Sequence, residues 1–132
     1  MKKAFCLLNH TLTEKQIAEL KSVYEAEKIE YPLPEIAEQW TQIPPKTELR
    51  RSDLQNIIEW LFNAAKGDVL IVQGEAGSAF AIADWALQRK IVPLYAVTKR
   101  VESEERQGEK VFRHYVFEHI CFRKYSYFSD LE

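Results

Sequence analysis

Four consecutive aliphatic residues, Val69-Leu70-Ile71-Val72, run straight into Gln73-Gly74-Glu75-Ala76-Gly77-Ser78, and no other stretch constrains this chain as strongly. A short, unbroken apolar run reads as a strand covered on both faces, the environment of a parallel sheet between helices. The glycine-bearing turn leads into a helical segment reaching about Gln88, and Ile91 to about Thr98 then reads as the next strand. A strand–turn–helix–strand unit of this kind places the chain in the α/β class.

The flanking segments fit the same plan. Ala4–Leu8 reads as a buried strand stopped by Asn9-His10. Thr13 and Gln16 have capping-box spacing, with Leu12 and Ile17 placed as a hydrophobic staple, so a helix is expected from there to about Glu27. Ile29–Leu33 could form a short strand cut off by Pro32 and Pro34, and Pro34 can open a helical stretch over Glu35–Trp40. Ser52 and Gln55 give a second capping-box signal. Behind it Leu54, Ile57, Ile58, Leu61, Phe62 and Ala65 mark one helix face that Gly67 can terminate.

The last third is different. Lys99–Gln107 is charged, Gly108 marks a turn, and Lys110–Tyr125 is β-branched and aromatic, the returning arm of a long hairpin begun near Leu94. Strict alternation would put Arg113, Tyr115, Phe117, His119, Cys121 and Arg123 on one face, and Phe112, His114, Val116, Glu118, Ile120 and Phe122 on the other. Both faces are mixed, which suits a subunit interface, a ligand lid or an ordinary edge hairpin. With no repeat or linker in view, one α/β domain over residues 1–132 accounts for the chain.

Charge and cysteine content narrow the function classes. The formal charge is −2, but residues 1–88 hold 9 basic and 13 acidic side chains, and residues 89–127 hold 9 basic and 5 acidic. A basic last third suits an anionic ligand, although the excess is too small for a strong non-specific DNA binder. No apolar run approaches the roughly 20 residues of a membrane span, and the basic-then-apolar N-terminus breaks off before a signal-peptide core is complete. A soluble cytoplasmic chain is expected. Cys6 and Cys121 match no zinc or redox spacing, so both read as small hydrophobes and no metal is expected.

In open parallel sheets, ligands bind where strands end at their carboxyl edge. Asn9-His10-Thr11, Gln73 to Ser78, and Thr98-Lys99-Arg100 should meet there. The Gly74–Ser78 turn can turn backbone amides toward an anion with Gly77 and Ser78 at the helix start, or can simply be a tight turn, and Glu75 would disfavour a phosphate pressed against it. It is neither a Walker loop nor the full dinucleotide fingerprint. His10 suits proton transfer, or a plain hydrogen bond to nearby backbone. Lys99 and Arg100 could neutralise a phosphodiester, or could be solvated charges at the base of the hairpin. Trp40, Trp60 and Trp85 read as core or interface residues.

At these segments the chain resembles a small CRISPR-associated family of the Csx type, grouped with the CARF-related ring nucleases of type III systems. The likeness is carried by Phe5-Cys6-Leu7-Leu8-Asn9-His10-Thr11-Leu12-Thr13, by Val69 to Ser78, by Pro93-Leu94-Tyr95-Ala96-Val97-Thr98-Lys99-Arg100 and by His119-Ile120-Cys121-Phe122-Arg123-Lys124-Tyr125. In that family a serine often precedes the histidine where this chain has Asn9, and a larger residue often stands at Ala76. The resemblance implies a Rossmann-like, mostly parallel sheet flanked by helices, with a C-terminal β-hairpin. It also implies a cytoplasmic homodimer that cleaves cyclic tetra-adenylate without metal or other cofactor. The substrate's own 2′-hydroxyl would attack the adjacent phosphate, giving linear di-adenylate with a 2′,3′-cyclic phosphate and switching off antiviral signalling. His10, Lys99 and Arg100 would then be catalytic, and Asn9, Thr11, Gln73, Gly74, Glu75, Gly77, Ser78 and Thr98 would bind substrate. A non-catalytic sensor or sponge for the ring is the alternative.

Overall fold

A computed structural model describes residues 1–132. The elements in chain order are β1 (Lys3–Leu7), α1 (Glu14–Ser22), β2 (Lys28–Glu30), α2 (Pro34–Thr41), α3 (Arg51–Leu61), β3 (Val69–Val72), α4 (Ala76–Gln88), β4 (Val92–Gln107), β5 (Lys110–Lys124) and a final 3₁₀ turn. The five strands form one sheet in the order β2-β1-β3-β4-β5, parallel except for the antiparallel β4–β5 hairpin. Helices cover both faces. Phe5, Leu7, Leu70 and Val72 pack with α2, α3 and α4, whereas Ala4, Cys6, Val69, Ile71 and Leu94 pack with Leu20 of α1 and with Phe122. This two-sided cover is why β3 reads as unbroken aliphatic, and burial pushes the Cys6 thiol up to about 12. No helix is long and apolar enough to cross a membrane.

Local chemistry explains most boundaries and corrects some. The Thr13–Gln16 capping box forms, with Gln16 N donating to Thr13 Oγ1 and Thr13 N to Gln16 Oε1. However, α1 stops at Ser22, five residues short of the expected end. Glu25 takes a left-handed φ of 60° and Ala26 N bonds back to Leu20 O, turning the chain into β2 beside β1. The second capping signal was misplaced. Ser52 lies inside α3, and Asp53 reaches back to the Arg50 amide (2.9 Å) while its other oxygen accepts from Lys46 (2.7 Å). Those bonds, Lys46's first, hold the Asp53 carboxyl below the usual carboxylate range.

The hairpin is longer than the sheet that carries it. β3 pairs with β4 only over Val92–Leu94, and Ala96 N donates to the Gln73 side chain instead of to a strand. From there β4 and β5 continue as a two-stranded ribbon to the two-residue loop Gly108-Glu109, where Gly108 adopts φ 66°. A bulge interrupts the pairing, because Val97 faces Cys121 whereas Thr98 faces His119, leaving Ile120 extra. The strict alternation expected for β5 is therefore wrong at its root. His119 and Phe122 share a face with their rings 4.6 Å apart, and Cys121 and Arg123 join Glu118 on the other.

That bulge seats the ribbon on α1. His119, 8% exposed, has its Nδ1 at 3.3 Å from the Gln16 amide nitrogen and its Nε2 at 2.7 Å from Glu19 Oε1. The amide nitrogen can only donate, so Nδ1 accepts and Nε2–H donates to Glu19. Glu19 Oε2 also accepts from Phe122 N at 2.7 Å. One carboxylate thus ties the helix to both the side chain and the backbone of the strand.

Candidate functional site

The sheet topology brings the three polar segments to one edge. β3 lies between β1 and β4 and is parallel to both, Gln73 N donates to Leu7 O, and Gln73 Oε1 accepts from Ala96 N at 3.1 Å. Asn9, His10 and Thr11 follow β1 at the surface, and Thr98, Lys99 and Arg100 lie on β4 where it leaves the sheet. His10 Nδ1 is 2.7 Å from the Thr11 carbonyl oxygen. A carbonyl only accepts, so Nδ1 carries the proton and the neutral ring keeps its Nε2 lone pair for a ligand.

Lys99 and Arg100 do not converge. Neighbouring residues of a strand face opposite ways. Leu94 and Ala96 pack on the α1 side, so Thr98 and Arg100 point there, whereas Tyr95 and Lys99 point to the α4 side. The Arg100 guanidinium lies 4.6 Å from the Tyr115 ring centre, which leaves its edge available for bidentate contacts. The two cations therefore reach a shared phosphodiester only from opposite faces of β4.

The Gly74–Ser78 segment takes the second of its two expected forms, a tight capped turn. Glu75 is the N-cap of α4, and its carboxylate accepts from Gly77 N (2.9 Å), Ser78 N (2.8 Å) and Ser78 Oγ (2.6 Å). The amides expected to cradle a phosphate are already engaged, and Ser78 is buried. The Ser78 hydroxyl, followed by the Gly77 and Ser78 amides, holds the Glu75 carboxyl below its ordinary value of 4.5. Gly74 has a packing role: a Cβ there would stand 2.9 Å from the Trp40 indole, whose Nε1 donates to Gln73 O at 2.9 Å.

A pH consequence follows. With its folded pKa depressed, Glu75 contributes full stability above its unfolded value and loses it as pH falls through the lowered folded one. Urea unfolding of the wild type should therefore weaken from about pH 5 downward more steeply than that of Glu75→Gln, whose amide does not titrate. Parallel pH profiles for the two proteins would assign this acid sensitivity elsewhere.

Beside the turn lies a cleft of ≈430 Å³ lined by Gln73, Gly74, Ala76, Ala79, Phe80, Tyr95 and Tyr125. Tyr125 is fixed by its hydroxyl, which donates to Val72 O at 2.8 Å, and its ring meets Tyr95 edge-on at 4.9 Å. Arg123 donates to the Tyr95 hydroxyl at 3.3 Å, and Phe80 on α4 is 76% exposed at the rim. Gln73 Oε1 is occupied by Ala96 N, so its two Nε2 donors are left for a ligand. Aromatic walls, an amide donor and a nearby guanidinium suit a flat, hydrogen-bonding, anionic molecule. A second cleft of ≈500 Å³ between α3 and α4, containing Phe62 and Trp85, includes none of the strand-end residues.

The sequence reading missed Phe80, Tyr95, Tyr125 and Arg123. Phe80 had a usable signal. Like Trp85 and Leu87 it falls off the buried stripe of Ala79, Ile82, Ala83 and Ala86, and it is the one of the three that is exposed. The others needed the hairpin register.

Comparison with known proteins gives relatives at family level. No solved structure matches. A protein of Methanocaldococcus jannaschii, described as "Uncharacterized protein MJ1673", is 31% identical over 127 residues, covering 96% of this chain and 98% of that protein. The model of the "Uncharacterized protein MJ1673 family" matches residues 2–123, from the start of β1 to the end of the hairpin root. This chain belongs to the MJ1673 family.

Proposed function

We propose that this protein is a ring nuclease that cleaves cyclic tetra-adenylate by metal-independent attack of a ribose 2′-hydroxyl on the adjacent phosphate. The observation that carries the reading is that one carboxyl edge of the sheet bears a histidine with a free Nε2 after β1, two cations on opposite faces of β4 and an aromatic cleft beside β3. The resemblance of the same segments to the type III ring nucleases supports it. Because the nucleophile belongs to the substrate, the protein need only align it and stabilise developing charge.

In this reading the ring lies across the sheet edge. Arg100, stacked on Tyr115, meets the scissile phosphate from the α1 side, and Lys99 meets the ring from the other. His10 moves the proton: the 2′-oxygen loses its proton as it bonds to phosphorus, the P–O5′ bond breaks, and the leaving 5′-oxygen is protonated. An adenine stacks on Phe80 and Tyr95, with Gln73 Nε2 donating to its edge, and Asn9, Thr11 and Thr98 contact ribose. The symmetric ring calls for a homodimer.

Incubation with cyclic tetra-adenylate in EDTA, followed by chromatography and mass analysis, tests this. Linear di-adenylate with cyclic phosphate ends is the expected product, and an intact ring would overturn the enzyme reading. Phe80→Ala should weaken ring binding by about 5- to 150-fold, the usual worth of one stacked base, as read by isothermal titration. Unchanged affinity would remove Phe80 from the site. A specific observation favours the second reading, a sensor or sponge. The amides of the α4 N-terminus are spent on Glu75, leaving fewer donors for a transition state than for a bound ring. Tight binding with no turnover would select it.

A further inference from the structure

The ribbon formed by the outer halves of β4 and β5 is the least self-sufficient part of the molecule. From Thr98–His119 outward to Gly108 it has no third strand and no covering helix, and nearly every residue is exposed. Yet it carries Val111, Phe112, Tyr115, Val116 and Phe117, the last 68% exposed. An isolated two-stranded hairpin is marginal in water, whereas three or more strands sharing an apolar face are not. A long, open strand edge, with its row of unpaired N–H and C=O groups, is also a template for pairing with another chain.

The charges of β4 specify that chain. Beyond Ala96 its outer edge is unpaired, and it reads Lys99-Arg100-Val101-Glu102-Ser103-Glu104-Glu105, basic at the root and acidic farther out. Set antiparallel against itself about a two-fold axis through Glu102, this edge is self-complementary. Lys99 faces Glu105 of the second copy, Arg100 faces Glu104, and Val101 faces Ser103, each pair occurring twice. Glu102 meets its own copy on the axis, where each carboxylate already has Arg113 of its own chain at 3.5 Å. The outer edge of β5 lacks such a register, since Glu118 is its one acid.

We infer that the β4 edge is the homodimer interface, two copies joining their ribbons antiparallel about Glu102 into one four-stranded ribbon. The product satisfies the strand count that a single ribbon lacks. It sets the two Arg100 residues about 13 Å apart along the strands, on either side of the axis. A guanidinium has five donors, enough to serve Glu104 of the second copy and a phosphate together. The inference is made from the ribbon alone and stands or falls independently of ring cleavage.

Two measurements on the full chain test it. Sedimentation equilibrium should give twice the 15.5 kDa chain mass at micromolar concentration. Glu104→Arg sets like charges opposite each other twice and should raise the dimer dissociation constant by about tenfold or more. The swap Arg100→Glu with Glu104→Arg restores opposite charges and should return it to near wild type. Independently, Glu102→Cys places one thiol against its copy within disulfide reach, so mild oxidation should give a reducible covalent dimer. Arg106→Cys, near the tip and away from the axis, should not. A monomeric mass, a charge swap that fails to rescue, or equal cross-linking at 102 and 106 would each overturn the β4-edge dimer. None of these readouts depends on whether the ring is cleaved.

Discussion

Alanine at His10 is expected to slow single-turnover cleavage of cyclic tetra-adenylate by about 10²- to 10⁴-fold, the usual worth of a positioned general acid or base. Binding of the ring should change little, because the contacts assigned to affinity lie at Phe80, Tyr95 and the two cations. Folding should also be preserved. His10 is exposed, and its single bond within the chain is to the neighbouring Thr11 carbonyl. The pH profile separates a chemical role from a structural one. A wild-type pH dependence of the rate that vanishes in His10→Ala places the transferred proton on this imidazole. An unchanged rate would leave the histidine as a cap on its own loop, and the ring would have to supply its own proton path.

The second large effect is on stability. Trp40→Ala is expected to cost about 3–5 kcal/mol in urea unfolding, the range for truncating a buried aromatic. Trp40 is 2% exposed and sits in the larger core cluster. Its Nε1 holds the Gln73 carbonyl, and its ring occupies the space that Gly74 leaves open. Trp40→Phe keeps most of the packing and loses the hydrogen bond, so it should cost about 1–3 kcal/mol. If the Phe variant also loses ring affinity while still folding, Trp40 positions the Gln73 turn. If affinity tracks stability alone, its role is confined to the core.

Gln16 illustrates what a sequence can and cannot disclose. Its spacing from Thr13 announced a capping box, and the box forms. Nothing local announced that the same amide would reach His119, more than a hundred residues away, and help seat the ribbon on α1. Glu75 is the converse case. Its like charge was legible as a difficulty for phosphate, but the capping of α4 by that carboxylate depends on backbone angles at the turn. Lys99 and Arg100 were legible as cations after a strand. The opposite directions they take follow from β4 running on as a strand through both.

Elements whose signal is local were legible in the residues alone: the aliphatic β3 strand, the Thr13 cap, the Pro34 helix start, the Gly108 turn and hence the α/β order of the chain. Hydrophobic period, capping geometry and glycine's freedom at positive φ all act within a few residues, so a linear reading reaches them. The phase of β5 is set only in the assembled fold. One bulged residue, Ile120, reverses the alternation at the ribbon root, and that reversal puts His119 against Glu19 and Arg123 beside Tyr95. A bulge is fixed by packing between elements distant in the chain, the Glu19 carboxylate taking both the His119 ring and the Phe122 amide, and no period in β5 encodes it.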